Sequence, residues 1–397
     1  MRSITSKQKR RGGKKKNNRL EMDRRFDRYR KENDHGPKFP VQKTVHDTVS
    51  MFKARFKALV GAHRLQLIEG MTYDRKDRNV GEGLSGRVFN CVLPNLPNGS
   101  GVVKEMSIKK IKVGDKDSVE FSDVLKVHTF LDRCYSEMKI QLYFEKDARV
   151  VKLLGGVIQN SPNKVYCGLI MEKEETSLHA FLVFSRHLPV SVGARICLEL
   201  MSLAQLTQGF GFVHNDLHPS NVLCTRGGTR LKICDFGQAA AFGNVFDDVV
   251  PHGKNITVAS IYGKATHLGP KHWSDKADAS CDHYSLAGSI MSVLHGYYHS
   301  IVKLLRDNPG KVFSPFPDAG VCCPSSQRLR SCSDNDRRVA TLVQPVTLLL
   351  KQCLERGEVL KVDEVKTALN ELVLSDAASE MHVWFVLRDP PLPFASR

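Results

Sequence analysis

The chain has 397 residues and a formal net charge of +17, with 41% hydrophobic and 25% charged residues. Such a length can bury a substantial core and accommodates about two to three domains or lobes. No apolar run approaches the ~20 residues needed to cross a bilayer, and the basic N-terminus lacks the apolar core of a secretory signal. Membrane-spanning and exported classes are therefore not expected.

The charge is unevenly spread. Residues 1–50 hold 16 Lys/Arg against 6 Asp/Glu, which is +10 of the total. Residues 1–40 are charged and short of large apolar side chains, so they are expected to form a disordered arm that cannot fold alone. Its clusters Lys7-Gln8-Lys9-Arg10-Arg11 and Lys14-Lys15-Lys16 suit a solvated arm, a nuclear import receptor or a nucleic-acid contact. The 11 cysteines are scattered without CxxC or Cys/His spacing, so zinc is not indicated. Reduced thiols and an intracellular place, cytoplasm and/or nucleus, are the expectation.

Within residues 41–70, Val45, Val49, Phe52, Phe56 and Leu59-Val60 recur at helical spacing and predict an amphipathic helix packing on the domain C-terminal to it. Next come Gly81-Glu82-Gly83-Leu84-Ser85-Gly86-Arg87-Val88 and the β-like run from Val88 to Leu93. Glycines at this spacing let a backbone turn close over phosphates, although glycine turns of other kinds share it. Leu96 to Gly101 reads as a turn. Two lysines follow, Lys104 after Val102-Val103, and Lys109 within Met106-Ser107-Ile108-Lys109-Lys110-Ile111. A helix carries Glu137, and Val150 to Ile158 and Tyr166 to Glu172 read as buried strands. Ser191 is placed to cap a long helix with an apolar face of Ile196, Leu200, Leu203 and Leu206.

That helix runs into His214-Asn215-Asp216-Leu217-His218-Pro219-Ser220-Asn221-Val222-Leu223, and Asp235-Phe236-Gly237 follows behind an apolar-rich stretch. Further on stand Gly263-Lys264-Ala265-Thr266-His267-Leu268-Gly269-Pro270-Lys271 and Asp282-His283-Tyr284-Ser285-Leu286-Ala287-Gly288. The latter is expected to open a helix with Leu286, Ile290, Val293 and Leu294 inward. Periodicity at Val339 to Leu350 and Val362 to Leu372 supplies two last helices.

In this order and spacing the motifs resemble the protein kinase family, whose catalytic loop reads H-R-D-L-K-P-x-N and whose metal loop reads D-F-G. The resemblance covers about residues 72–375. It implies an α+β, two-lobed fold, with a β-rich N-lobe (about 72–172), a helical C-lobe (about 173–375) and a C-terminal tail (376–397). It implies ATP and magnesium as cofactors and a protein substrate phosphorylated on Ser/Thr. By the same resemblance Asp216 is the catalytic carboxylate, Asn221 and Asp235 the metal ligands, and His218 a catalytic-loop residue near the phosphate. Gly81, Glu82, Gly83, Leu84, Ser85, Gly86 and Val88 form the nucleotide loop. Met171-Glu172 falls at the hinge, where backbone groups meet adenine. The strand pattern favours Lys109 as the ATP-phosphate lysine, partnered by Glu137, which requires a hairpin some five residues longer than usual. Lys104 competes, because its spacing from the glycine loop is better. Such an Asp as Asp282 holds the loop backbone rather than doing chemistry.

Several positions depart from the family pattern. The loop Arg is Asn215, which implies activity without activation-loop phosphorylation. The loop Lys is His218, and the Glu of A-P-E is Lys271. H-N-D-L-H-P-x-N also resembles the loop of aminoglycoside- and choline-type kinases, so a small-molecule acceptor stays open beside a catalytically inactive scaffold. The divergence around the motif cores resembles kinases of large DNA viruses.

Overall fold

The computed structural model describes residues 44–67, 81–83, 86–92, 100–109, 121–161, 164–185, 187–225, 230–241, 279–295, 338–339, 341–356 and 359–384. The basic arm, Leu84 and Ser85, the turn from Leu96 to Asn98, the segment Gly263 to Lys271 and the end of the tail lie outside the described residues.

The apolar repeat near the N-terminus forms an 18-residue helix, α1 (Val45–Ala62). Thr44 caps it by accepting a hydrogen bond from Asp47 N at 3.0 Å, which satisfies one of the unpaired donors of the first turn. Val45, Val49, Phe52, Phe56 and Val60 are all buried, as the spacing predicts. After a short turn the chain adds strand β1 (Gln66–Leu67) to the edge of a six-stranded sheet. The other strands are β2 (Gly81–Gly83), β3 (Gly86–Val92), β4 (Ser100–Lys109), β5 (Leu153–Ser161) and β6 (Lys164–Glu172). Their order is β1-β5-β6-β4-β3-β2, with β1 parallel to β5 and every other pair antiparallel. Helix α2 (Phe121–Tyr143) shares one apolar core with this sheet and α1, in which Leu131, Met138, Leu153 and Leu169 are fully buried.

The C-terminal half is helical. Strand β7 (Thr176–Ser177), α3 (Leu178–Ser185) and β8 (His187–Pro189) lead into α4 (Val190–Gly209). The strands β9 (Phe212–Val213), β10 (Val222–Cys224), β11 (Leu231–Ile233) and β12 (Ala240–Ala241) then frame the two motif loops. β10 pairs antiparallel with β11, and β12 with β9. Helices α5 (Ala279–His295), α6 (Gln344–Arg356), α7 (Val362–Leu374) and α8 (Asp376–Glu380) close the core, and β13 (His382–Trp384) pairs with β8. Leu286, Ile290, Val293 and Leu294 of α5 face inward, as do Ile196, Leu200, Leu203 and Leu206 of α4.

The structure corrects one reading of the sequence. Ser191 does not cap α4: the helix begins one residue earlier behind Pro189, with no side-chain cap, and Ser191 is buried in its first turn. Within the expected C-terminal tail, residues 376–384 form α8 and β13, which pack on the lobe, and Val190 N donates to Met381 O. One helix, α4, is long and apolar enough to cross a membrane, but two-thirds of it is buried inside this lobe.

Between α5 and α6 His295 is partly buried, with Nε2 2.9 Å from Thr347 Oγ1, whose own proton goes to Val343 O. Burial lowers its pKa from 6.5 to about 4. The unfolded chain therefore takes up this proton first as pH falls, so the stabilisation is complete above pH 6.5 and lost on the way down to about 4. The loss should be on the order of 3 kcal/mol. In denaturant titrations, wild type should lose that much more stability than His295→Gln over this pH range; parallel acid limbs would contradict the assignment.

Candidate active site

The glycine hairpin follows from backbone geometry. Gly83 pairs with Gly86 at the closed end of β2 and β3, and Gly81 pairs with Val88. Gly86 has φ +155°, and a Cβ there would stand 2.5 Å from Glu105 O, so only glycine lets β4 approach this closely. Opposite the hairpin, Val88 is in register with Lys104.

Lys104 is the cation of the site. Its ammonium is 2.6 Å from Glu137 Oε1 of α2 and 2.8 Å from Asp235 Oδ1 of the Asp-Phe-Gly turn. Burial alone would push this lysine toward neutrality; Asp235 and Glu137 outweigh it and hold Lys104 charged, its pKa above the ordinary value. Burial, reinforced by Asp235, raises Glu137 against the pull of Lys104. Two carboxylates thus share one ammonium.

The expectation that Lys109 fills this role is corrected. β3 reaches only as far as Glu105 along β4, whereas Lys109 is the last residue of β4, in register with Lys164. No lengthened hairpin is needed, because the β3–β4 register puts Lys104 beneath the glycine turn.

Asp235 sits at φ +66°, a left-handed conformation, and accepts from Gly237 N at 3.4 Å. A Cβ on Gly237 would meet both Asp235 Oδ1 and Glu137 Oε2 at 3.2 Å, so the motif glycine leaves room for the two carboxylates to converge. Phe236 is buried; its ring lies near that of His214, centroids 5.2 Å apart, and stacks with Phe144.

The catalytic-type loop hangs on Asp282 of α5, which is wholly buried. Its carboxylate accepts from His214 N at 2.7 Å, Asn215 N at 2.9 Å and Thr207 Oγ1 at 3.3 Å. Asn215, at φ +62°, donates from Nδ2 to Gln238 O just past the Asp-Phe-Gly turn. His214 accepts from Asp216 N on Nδ1, so Nε2 carries the proton given to Cys234 O at 3.0 Å.

Asp216 is held on both oxygens. Asn221 Nδ2 donates to Oδ2 at 2.8 Å and to the Asp216 carbonyl at 2.9 Å, while His218 Nε2 lies 3.2 Å from Oδ1. His218 Nδ1 accepts from Ser220 N, which leaves the proton of the neutral ring on Nε2, facing the carboxylate. At the hinge, Glu172 is committed to its neighbours: Oε1 accepts from Lys152 N and from Lys232 Nζ, both at 2.7 Å. Lys232 also meets Glu174 at 2.6 Å, a bridge between β11 and the hinge that no sequence motif announced. The Glu172 N–H donates to Lys152 O.

Among the sequence-predicted site residues, the structure brings together Glu137, Asp216, His218, Asn221 and Asp235. It sets Glu172 apart by its side chain and replaces Lys109 with Lys104. These groups fit a divalent cation bound with phosphate oxygens: Lys104 leaves a surplus of negative charge, and the amide nitrogen of Asn221 is engaged, so its Oδ1 is the atom outside those bonds. Magnesium is typically held by one or two such oxygen ligands plus substrate phosphates.

A protein kinase domain model matches residues 75–304, more than half the chain. This chain belongs to the protein kinase family. It is 27% identical over 193 residues to the sporulation-specific mitogen-activated protein kinase of Saccharomyces cerevisiae, covering 46% of this chain and 44% of that protein. It is 35% identical over 150 residues to human receptor-interacting serine/threonine-protein kinase 1 (36% and 22%), and 25% identical over 221 residues to cyclin-dependent kinase B2-1 of Arabidopsis thaliana (53% and 63%). The chain spans less than two-thirds of the length of each of these relatives.

Replacing Asp282 by Ala would leave the buried His214 and Asn215 N–H groups unpaired. The expected cost is about 3 kcal/mol of unfolding free energy. Equal denaturation midpoints for Asp282→Ala and wild type would contradict this role of Asp282 in the loop.

Proposed function

We propose that the chain transfers the γ-phosphoryl group of ATP to Ser/Thr hydroxyls of protein substrates. The observation that carries this reading is Lys104 gripped between Glu137 at 2.6 Å and Asp235 at 2.8 Å, which joins the nucleotide sheet to the Asp-Phe-Gly turn. The names of the relatives, which include serine/threonine-protein kinases, support the substrate class.

In this mechanism Lys104 reaches the α- and β-phosphates, with Glu137 fixing its geometry. The glycine hairpin covers the phosphates with backbone N–H groups. Asn221 and Asp235 would hold magnesium, which would supply positive charge against the phosphate oxygens. Asp216 accepts a hydrogen bond from the substrate hydroxyl. As the hydroxyl oxygen bonds to the γ-phosphorus and the bond to the β-phosphate oxygen breaks, Asp216 takes the hydroxyl proton and ADP departs. His218 and Asn221 keep the Asp216 carboxylate in place through this step. Because Asn215 ties the loop directly to Gln238, the site needs no phosphate on the activation loop to join these two segments. We place the protein inside the cell, in the cytoplasm and/or nucleus, with its basic arm offered to an import receptor or nucleic acid; imaging the tagged full chain with and without the arm lysines tests this.

Radiolabel transfer from γ-labelled ATP with magnesium tests the chemistry, with generic proteins, aminoglycosides and choline as acceptors. Asp216→Asn and Lys104→Met should each lose about 100-fold or more, while Lys109→Met stays within about threefold of wild type. Label on Ser/Thr is the expected product. Label on a small molecule alone, or full activity in Asp216→Asn, would overturn the proposal.

A further inference from the structure

The part of the fold that the family match leaves out lies against the helix that carries Glu137. The match begins at residue 75, whereas α1 and β1 occupy Val45–Ala62 and Gln66–Leu67. This extension is joined to the N-lobe in three independent ways. Its apolar face merges with the core: Phe52 and Phe56 are 0% exposed, Phe52 meets His128 edge to face at 5.3 Å, and Phe56 meets Tyr135 at 5.5 Å. His128 and Tyr135 both belong to α2 and flank Leu131 on the same helical stripe. At the far end, His63 Nδ1 lies 2.8 Å from Glu145 Oε2, just past the end of α2. Beyond it, β1 runs parallel to β5, with Gln66 opposite Gly155 and Leu67 opposite Gly156.

α2 is therefore held from two sides. On one, Glu137 reaches Lys104; on the other, α1 lays Phe52 against His128 and Phe56 against Tyr135. A helix so supported cannot swing outward without opening an apolar interface that includes two phenylalanines. We propose that Phe52 and Phe56 are positioning residues for phosphoryl transfer: α1 holds α2 where Glu137 seats on Lys104, so that the chain carries this support as its own segment. The chemical part of this inference rests on the phosphotransfer reading above; the positioning part does not.

The test uses the full chain. Hydrogen exchange of α2 amides around Glu137 is measured in wild type, Phe52→Ala, Phe56→Ala and Phe52→Leu, with kcat and KM for ATP measured alongside. In the Ala variants these amides should exchange at least about tenfold faster while α4 is unchanged, kcat should fall about tenfold or more, and KM for ATP should rise. A smaller folded fraction would scale kcat alone and leave KM for ATP where it was, which would overturn the positioning role. Phe52→Leu, which keeps most of the apolar volume, should recover most of both parameters, and Phe56→Ala is the variant to read if Phe52→Ala does not fold. A folded Phe52→Ala or Phe56→Ala variant whose α2 exchange and KM for ATP match wild type would overturn the proposal. If wild type transfers no phosphate to any acceptor, the phosphotransfer reading falls, and α2 exchange alone then decides the positioning role.

Discussion

A lysine ammonium removed from water stays charged only if carboxylates meet it, and Lys104, 5% exposed, meets two. That requirement ties together three parts of the chain far apart in sequence: β4, which supplies the lysine; α2, which supplies Glu137; and the Asp-Phe-Gly turn, which supplies Asp235. Coulombic attraction in a buried setting is strong, but so is the cost of desolvation, and a buried pair that loses a partner leaves an uncompensated charge. The triad is therefore better understood as a specification of geometry than as a source of stability.

The lower half of the site solves a different problem. Its loop lacks regular structure, so its backbone polar groups need partners supplied from elsewhere. Asp282 provides them from a helix that is itself buried, His214 spans from Asp216 N to the carbonyl of Cys234, and Asn221 closes the loop on both the carbonyl and the carboxylate of Asp216. These bonds fix Asp216 and its neighbours in the loop. Asn215 adds the link from this loop to Gln238. The two halves meet at Asp235, which belongs to the lower loop by sequence and to the Lys104 triad by contact.

Much of this was legible in the sequence, for identifiable reasons. Helical periodicity located α1, α4, α5 and α7, because burial of one face leaves a regular trace. The catalytic loop and Asp-Phe-Gly were legible because phosphoryl transfer demands particular groups at short spacing. Local strand pattern favours Lys109, because Met106 to Ile111 has the more familiar composition, but pairing with β3 and β6 puts Lys104 opposite the glycine hairpin and against Glu137. The spacing from Gly86 carried the correct signal. The Lys232 bridge to Glu172 and Glu174, and the parallel pairing of β1 with β5, join distant segments without any repeated pattern, so no reading of local sequence finds them. Ser191 shows the converse, a residue of the right type one position inside the helix it was expected to cap.

The most direct measurement of the central claim is chemical. An acyl-phosphate analogue of ATP, which transfers its acyl group to a lysine beside the bound phosphates, would be added to the full chain with magnesium and the labelled peptide mapped by mass spectrometry. Label on Lys104, suppressed by excess ATP, is the result the triad predicts. Label on Lys109 with Lys104 untouched would contradict it, and with it the placement of the nucleotide.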